Sequence, residues 1–281
     1  MLSAVRTMMS NDVPSAMELS AIANWNQTTD DWRRVMQLNP EGCRCIEDAG
    51  SIVATASLLP YGKRLAWIGM VLTRPEYRRR GLAKQLMEDA IASAERSGIR
   101  TLKLDATDEG QPLYESLGFV VEQPVERWGC ESAKSLVVND GPVAAASMQK
   151  DLAALISADL LRRDVESFGA VREQLLESLR SSGRCTVAPD GYVFSRPGRV
   201  AQYLGPCMAD SEAAARQLIT EHLQGHSCNW YWDLLPANSG AVRCAEELGF
   251  TRRRALQRMR RGEKIDTNDD RIYAIAGFEL G

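Results

Sequence analysis

The 281-residue sequence contains no apolar run long enough to cross a membrane. A transmembrane helix needs roughly 18 consecutive apolar residues, and no stretch approaches that length. The first residues, MLSAVRTMMSNDVP, also lack the charged start and the long apolar middle of a secretory signal. We therefore expect a cytoplasmic protein with no membrane partner.

Paired cysteines are missing as well. The seven cysteines are odd in number and scattered, and no two have the CxxC spacing of a metal site. His222 and His226, with Cys228 just beyond, imitate metal-ligand spacing, but Gly225 is expected to end the helix before His226. We predict reduced thiols and no metal.

The composition is that of an ordinary globular protein, with 44% hydrophobic residues, 25% charged residues and a net charge of −3. The length exceeds that of most single domains, so one large or two medium domains are expected.

Two arginine runs, RRRG at 78–81 and RRRALQRMRRG at 252–262, could contact nucleic acid. An overall pI of about 5.6 argues against that, and we expect no nucleic-acid partner.

Periodicity in the first half predicts a mixed α/β fold. A short strand and two helices come first, then three strands separated by DAG and YGKR turn signals, which should form an antiparallel meander. A helix follows over 82–97, then a strand (IRTLKLDAT) and a short helix (PLYESLGF). The helices are predicted at 13–23, 30–38 and 82–97, and the meander strands at 44–47, 51–59 and 65–72.

The same order of elements returns in the second half. LYESLGF (113–119) and CAEELGF (244–250) carry the same helix end, although glycine is so common a helix stop that one such match can arise by chance. The shared order favours duplication. We predict a first domain over 1–130, a small, turn-rich linker over 131–147 and a second domain over 148–281.

The stretch YRRRGLAKQL (77–86) concentrates positive charge where a helix begins. The first amides of a helix have no partners within it, and with the helix dipole and the arginines they form an anion site suited to a pyrophosphate. Gly81 and Ala83 would let the backbone approach the ligand closely. The Walker pattern and GxGxxG are both absent, so the common nucleotide loops fit poorly.

The run from Arg78 to Ala83 resembles the Q/R-x-x-G-x-G/A signature of the GNAT superfamily of acyl-CoA-dependent N-acyltransferases, and PLYESLGF resembles its second hallmark. The resemblance implies an acetyl-CoA-dependent N-acetyltransferase acting on a primary amine of a small molecule by direct transfer. It implies that Tyr114 protonates the departing thiolate and that a strand-end backbone N–H polarises the thioester. The cofactor-binding residues that it implies are Val71, Leu72, Thr73, Arg78, Arg79, Arg80, Gly81, Leu82, Ala83 and Lys84.

Two departures from the family pattern concern the chemistry. Thr107 stands where many members have asparagine, and the central strand LAWIGMVLT contains no acid to deprotonate the amine. Asp105 on the neighbouring strand is our candidate base, with Asp108 and Glu109 in the loop beyond; all three could instead be solvated or capping groups. The missing base leaves open a catalytically silent acyl-CoA sensor.

The second half resembles a degenerate GNAT domain. YLGPCMADSEAAARQL lacks the phosphate signature and places Asp210 and Glu212 at a helix start, where they would oppose a pyrophosphate. We therefore predict one active site, with the second domain forming a wall of the acceptor pocket, in a monomer or homodimer. The predicted acceptor contacts, each of which could instead be core or capping, are Trp25, Asn26, Gln27, Trp232 and Asp233.

Overall fold

The computed structural model describes residues 2–131, 156–226 and 228–281. Contacts divide the chain into two compact units. The first unit comprises Met1–Glu122, Gln257–Lys264 and Phe278–Gly281, and the second comprises Gln123–Leu256 and Ile265–Gly277. Most of the linker prediction, and the helix predicted from residue 148, lie outside the described residues.

The first unit is a mixed sheet with helices, as predicted. Its strands are ordered β1-β2-β3-β4-β5-β11, and β2 to β4 form the expected antiparallel meander. The helices are α1 (Val13–Ile22), α2 (Thr29–Leu38), α3 (Leu82–Arg96) and α4 (Gln111–Ser116). The strands are β1 (Arg6–Thr7), β2 (Cys43–Asp48), β3 (Ser51–Tyr61), β4 (Leu65–Thr73), β5 (Thr101–Ala106) and the 257–262 part of β11 (Thr251–Gly262).

Local sequence signals explain the helices of this unit. Thr28 and Asp31 form a capping box at the start of α2, in which the threonine oxygen accepts from the Asp31 backbone N–H and the carboxylate accepts from the Thr28 backbone N–H. The apolar face of α3 is buried against the sheet, as its spacing predicted, and Gly98 follows the helix in a left-handed conformation.

The second unit repeats this plan. Its strands are ordered β6-β10-β9-β8-β7, and β12 pairs with β9. The helices are α5 (Ala158–Phe168), α6 (Glu173–Ser182), α7 (Glu212–Leu223) and α8 (Ser239–Glu247). The strands are β6 (Val120–Cys130), β7 (Arg184–Ala188), β8 (Gly191–Arg196), β9 (Gln202–Ala209), β10 (Trp230–Leu234) and β12 (Ile272–Ala274).

Each unit includes a strand from the other half of the sequence. In the first unit, residues 257–262 of β11 pair antiparallel with β5; in the second, residues 126–130 of β6 pair antiparallel with β10. The compact units are therefore not simply the two halves of the sequence. The domain boundaries drawn at 130 and 148 stay a prediction.

Candidate active site

The loop before α3 leads into a helix whose first amides receive no side-chain cap from the described residues. Arg79 and Gly81 both have positive φ, 60° and 79°, so the chain turns sharply before the helix begins at Leu82. Gly81 is the N-cap and offers no side chain to the first amides of α3. A Cβ added at Gly81 would meet no atom within 4 Å, so the approach to the amides is open. Such a helix start is suited to an anion.

The arginines of the loop are exposed and held by local contacts. Arg80 donates from Nη2 to the carbonyl oxygen of Glu76 at 2.8 Å and lies over the ring of Tyr77, 4.8 Å from its centroid. Arg78 donates from Nε to the carbonyl oxygen of Thr73 at 3.4 Å. These contacts keep positive charge around the helix start and leave it accessible to a ligand.

Strand β4 carries a bulge and separates from β5 at its carboxyl end. Met70 has a φ of 51°, and the β3–β4 register shifts there. Parallel pairing between β4 and β5 ends at Trp67 opposite Lys103. Within the described residues, β4 has no further strand partner on that side as far as Thr73. The backbone over 69–73 can therefore bind an extended chain that carries amides.

Tyr114 lies on α4, buried except for 8% of its surface. Its ring packs edge-to-face on Phe119, with centroids 6.2 Å apart. Burial raises the pKa of the Tyr114 phenol to about 12, so the group stays protonated at neutral pH and is available as a proton donor. Thr107 accepts a hydrogen bond from the Gly110 backbone N–H at 3.2 Å, so it caps the turn into α4.

The candidate bases lie in different environments. Arg258 donates to both carboxylate oxygens of Asp105, at 2.9 and 3.0 Å, and both side chains are buried. Asp108 and Glu109 are exposed. The role of Asp105 as the base stays a prediction, but a carboxylate held on both oxygens is poorly suited to take a proton.

The predicted acceptor loop lies next to a segment distant in sequence. Trp25 is half-buried, and Asn26 and Gln27 are buried. Gln27 donates from Nε2 to Oε2 of Glu279 at 3.0 Å. Sequence reasoning missed both Glu279 and Arg258, because the approach of residues so far apart in the chain leaves no local pattern.

Two family models match the chain. One, described as "Acetyltransferase (GNAT) family", matches residues 11–119, and the other, "Acetyltransferase (GNAT) domain", matches residues 160–274. Between them they cover most of the chain. The chain belongs to the GNAT family. It is a tandem GNAT acetyltransferase, as its sequence predicted.

Relatives of similar length support the tandem arrangement. "Uncharacterized N-acetyltransferase YitH" of Bacillus subtilis (strain 168) is 27% identical, over 83% of this chain and 82% of its own length. "Holothin acyltransferase" of Pseudoalteromonas sp. (strain SANK 73390) is 24% identical, over 95% of this chain and 93% of its own.

Solved structures share the fold. A protein from Pyrococcus horikoshii assigned as an acetyltransferase has a TM-score of 0.86 at 20% identity, covering 100% of this chain and 96% of its own. A tandem GNAT protein from the clavulanic acid biosynthesis pathway has a TM-score of 0.62 at 15% identity, covering 93% and 98%.

The helix start of the second GNAT unit differs from that of the first. Ser211 caps α7, accepting from the Ala214 backbone N–H at 3.2 Å. Asp210 forms an ion pair with Arg163, and Glu212 receives a hydrogen bond from Arg243 at 2.6 Å. Strand β12 also pairs with β9, the counterpart of β4. A capped, acidic helix start and a paired strand edge are both unfavourable for a pyrophosphate-bearing ligand.

The two acceptor contacts predicted in the second GNAT unit are internal. Trp232 is fully buried, donates to the carbonyl oxygen of Tyr273 at 2.7 Å and belongs to the hydrophobic core. Asp233 is buried and accepts two hydrogen bonds from Arg127 at 2.7 and 2.6 Å. Their acceptor role stays a prediction that this burial does not support.

The arginine run on β11 is largely paired with acids. Arg252, Arg253, Arg260 and Arg261 each form an ion pair with a glutamate. Among the described residues, no group of three or more His, Cys, Asp or Glu could hold a metal ion. No helix within the described ranges is both long and apolar enough to cross a membrane.

Proposed function

We propose that the first unit transfers an acetyl group from acetyl-CoA to a primary amine of a small molecule by direct attack. One observation carries the proposal: the uncapped helix start at Gly81, the open edge of β4 and the buried phenol of Tyr114 occur in the same unit. These are an anion site, an amide-binding edge and a proton donor, the three functions that transfer from a CoA thioester requires.

The residues present fit the cofactor's chemistry. The amides over 79–84 and the neighbouring arginines would hold the pyrophosphate, and Gly81 leaves the space that a side chain would fill. The amides and carbonyls of Val71, Leu72 and Thr73 would pair with the pantetheine arm. The buried Thr73 hydroxyl has no hydrogen-bond partner among the described residues, so it is available to the same ligand.

The chemistry follows from these placements. A backbone N–H at the Met70 bulge would stabilise the charge that develops on the thioester oxygen. Tyr114 would protonate the departing thiolate; its pKa, raised to about 12, keeps the phenol protonated at neutral pH, so the proton is in place when the thiolate leaves.

One productive site per chain is the simplest arrangement. The capped, acidic start of α7 supports this, since two carboxylates there oppose a pyrophosphate. The relative named a holothin acyltransferase, which aligns over 95% of this chain, supports acyl transfer by a tandem chain of this size. Pairing of the β11 arginines with glutamates supports a small-molecule acceptor over nucleic acid.

The test combines binding with turnover. Acetyl-CoA is titrated into the purified chain by calorimetry, and release of free CoA thiol is then followed with a panel of primary amines. We expect one site per chain and thiol release with at least one amine. Binding without release from any amine would favour the silent sensor, two sites would contradict a degenerate second unit, and no binding would overturn the proposal.

A further inference from the structure

A buried carboxylate that the sequence did not single out lies against β4. Glu279 is only 3% exposed. A Cβ added at Gly69 would lie 2.7 Å from the Glu279 carbonyl oxygen and 3.0 Å from its Cβ. Gly69 thus makes room for Glu279 directly before the Met70 bulge, where the proposed transfer takes place.

Hydrogen bonds on both sides hold Glu279 in place. Trp67 donates from Nε1 to the carbonyl oxygen of Phe278 at 2.9 Å, and the hydroxyl of Tyr61 donates to the carbonyl oxygen of Leu280 at 2.5 Å. The carboxylate itself accepts from the neutral amide of Gln27 at 3.0 Å. Strand residues and the predicted acceptor loop together fix where this carboxylate lies.

Glu279 and Tyr114 lie on opposite faces of the sheet. Ala66 and Ile68 of β4 pack in the same cluster as Tyr114, on the face covered by α3. Side chains alternate along a strand, so Trp67 and Gly69, which contact the 278–281 segment, belong to the other face. A carbonyl in the gap between β4 and β5 is therefore flanked by a proton donor on one face and a carboxylate on the other.

We infer that Glu279 binds the acceptor amine and takes its proton as the amine attacks; this rests on the function proposed above. The amine nitrogen bonds to the thioester carbon and its proton passes to the Glu279 carboxylate. The carbon–sulfur bond breaks, and the thiolate takes the proton of Tyr114. Glu279 then releases its proton to solvent and Tyr114 regains one, so the enzyme returns to its starting state. Glu279 supplies the acid that β4 lacks.

Glu279→Gln is the test, because glutamine keeps the size of the side chain and an oxygen for the Gln27 bond. Turnover is measured with acetyl-CoA and the amine that the wild type uses fastest, beside calorimetric binding of acetyl-CoA. We expect kcat to fall about 100-fold or more, the usual range for a lost general base, with acetyl-CoA affinity unchanged. Glu263→Gln, whose side chain is 69% exposed in the same unit, is the matched control and should retain activity.

The outcomes separate the two proposals. If the wild type is active and E279Q has a kcat within threefold of the wild-type value, or differs only by a raised KM, the role of Glu279 is overturned and the proposed function is not. A wild type that releases no thiol overturns the proposed function. Should E279Q fail to fold, Glu279→Asp keeps the carboxylate one methylene further away; it should bind acetyl-CoA normally and turn over more slowly, and wild-type turnover would count against the inference.

Discussion

Arg258 and Asp105 form a two-point ion pair across neighbouring antiparallel strands, with both side chains buried. The second unit contains the same arrangement. There Arg127 binds both carboxylate oxygens of Asp233, again across an antiparallel strand pair. In each unit the arginine lies on the strand contributed by the other half of the sequence. The duplication inferred from the shared order of elements is thus matched by a shared side-chain contact.

An aromatic ring completes each pair. The Arg258 guanidinium lies 4.6 Å from the ring centroid of Trp67, and that of Arg127 lies 5.2 Å from Tyr203. The second unit keeps this cluster although its helix start is capped and acidic. The second unit lacks the phosphate loop but keeps the ion pair, so the pair serves the fold and not cofactor binding. We interpret each pair as fixing the register of the strand that comes from the other half of the sequence, β11 in the first unit and β6 in the second.

Replacing Asp105 with asparagine should therefore reduce stability. The substitution removes the carboxylate that binds the buried Arg258 at two points, and breaking such a pair costs about 3–5 kcal/mol. Urea unfolding of the variant should show this loss, whereas the exposed Asp108→Asn should unfold like the wild type. A D105N variant of wild-type stability that has lost turnover would instead restore Asp105 as the base.

Replacing Gly81 with glutamate should abolish acetyl-CoA binding. The new carboxylate would oppose the pyrophosphate at the open helix start, so we expect the dissociation constant to rise at least about 100-fold. Gly98→Glu is the matched control, because Gly98 follows the other end of α3, also has positive φ, and also has open space at its Cβ position. Equal loss in both variants would show that backbone strain, not the anion site, is responsible.

Local signals account for what the sequence predicted. The apolar spacing of α3 and the Thr28 cap of α2 depend only on residues within one element, and both are found. The anion site at Gly81 could also be predicted from the sequence, because the arginines, the glycine and the helix start are contiguous.

What the sequence did not reveal depends on distant pairing. Nothing local indicates that β11 pairs with β5, so Arg258 could not be matched to Asp105. Glu279 and Gln27 are far apart in the sequence and come into contact only in the folded chain. No sequence motif therefore identifies Glu279 as an acid of the site. The strand pattern of Trp232 suits an acceptor wall and a core alike, and only the structure shows that its side chain is fully buried.

Tyr114→Phe should lower kcat about 100-fold or more and leave acetyl-CoA affinity unchanged, because the phenol proton is used only as the thiolate leaves. Since burial raises the pKa of Tyr114 to about 12, the wild type should show no alkaline loss from this group between pH 7 and 9. Turnover against pH, with calorimetry on both proteins, provides the measurement. A Y114F variant within threefold of wild type would contradict the assignment.

His222 should make the second unit sensitive to mild acid. Its ring nitrogens contact the hydroxyls of Thr186 and Ser195, at 2.8 and 2.7 Å, and burial lowers its pKa to about 3. The folded state therefore keeps His222 neutral while the unfolded chain takes up a proton below its usual pKa of 6.5. The stabilisation is complete above pH 6.5 and is lost as pH falls toward 3, with a limiting slope of about 1.4 kcal/mol per pH unit.

The pH dependence of the free energy of unfolding can be compared directly between the wild type and a variant that lacks His222. Urea unfolding between pH 6.5 and 5 should show stability falling with pH in the wild type and a shallower fall in His222→Gln, which has no proton to gain. His226→Gln is the control, because His226 is exposed, and it should keep most of the wild-type slope. These two variants cover both histidines of the chain. Equal slopes in the wild type and H222Q would mean that other groups, and not the buried imidazole, set the acid response.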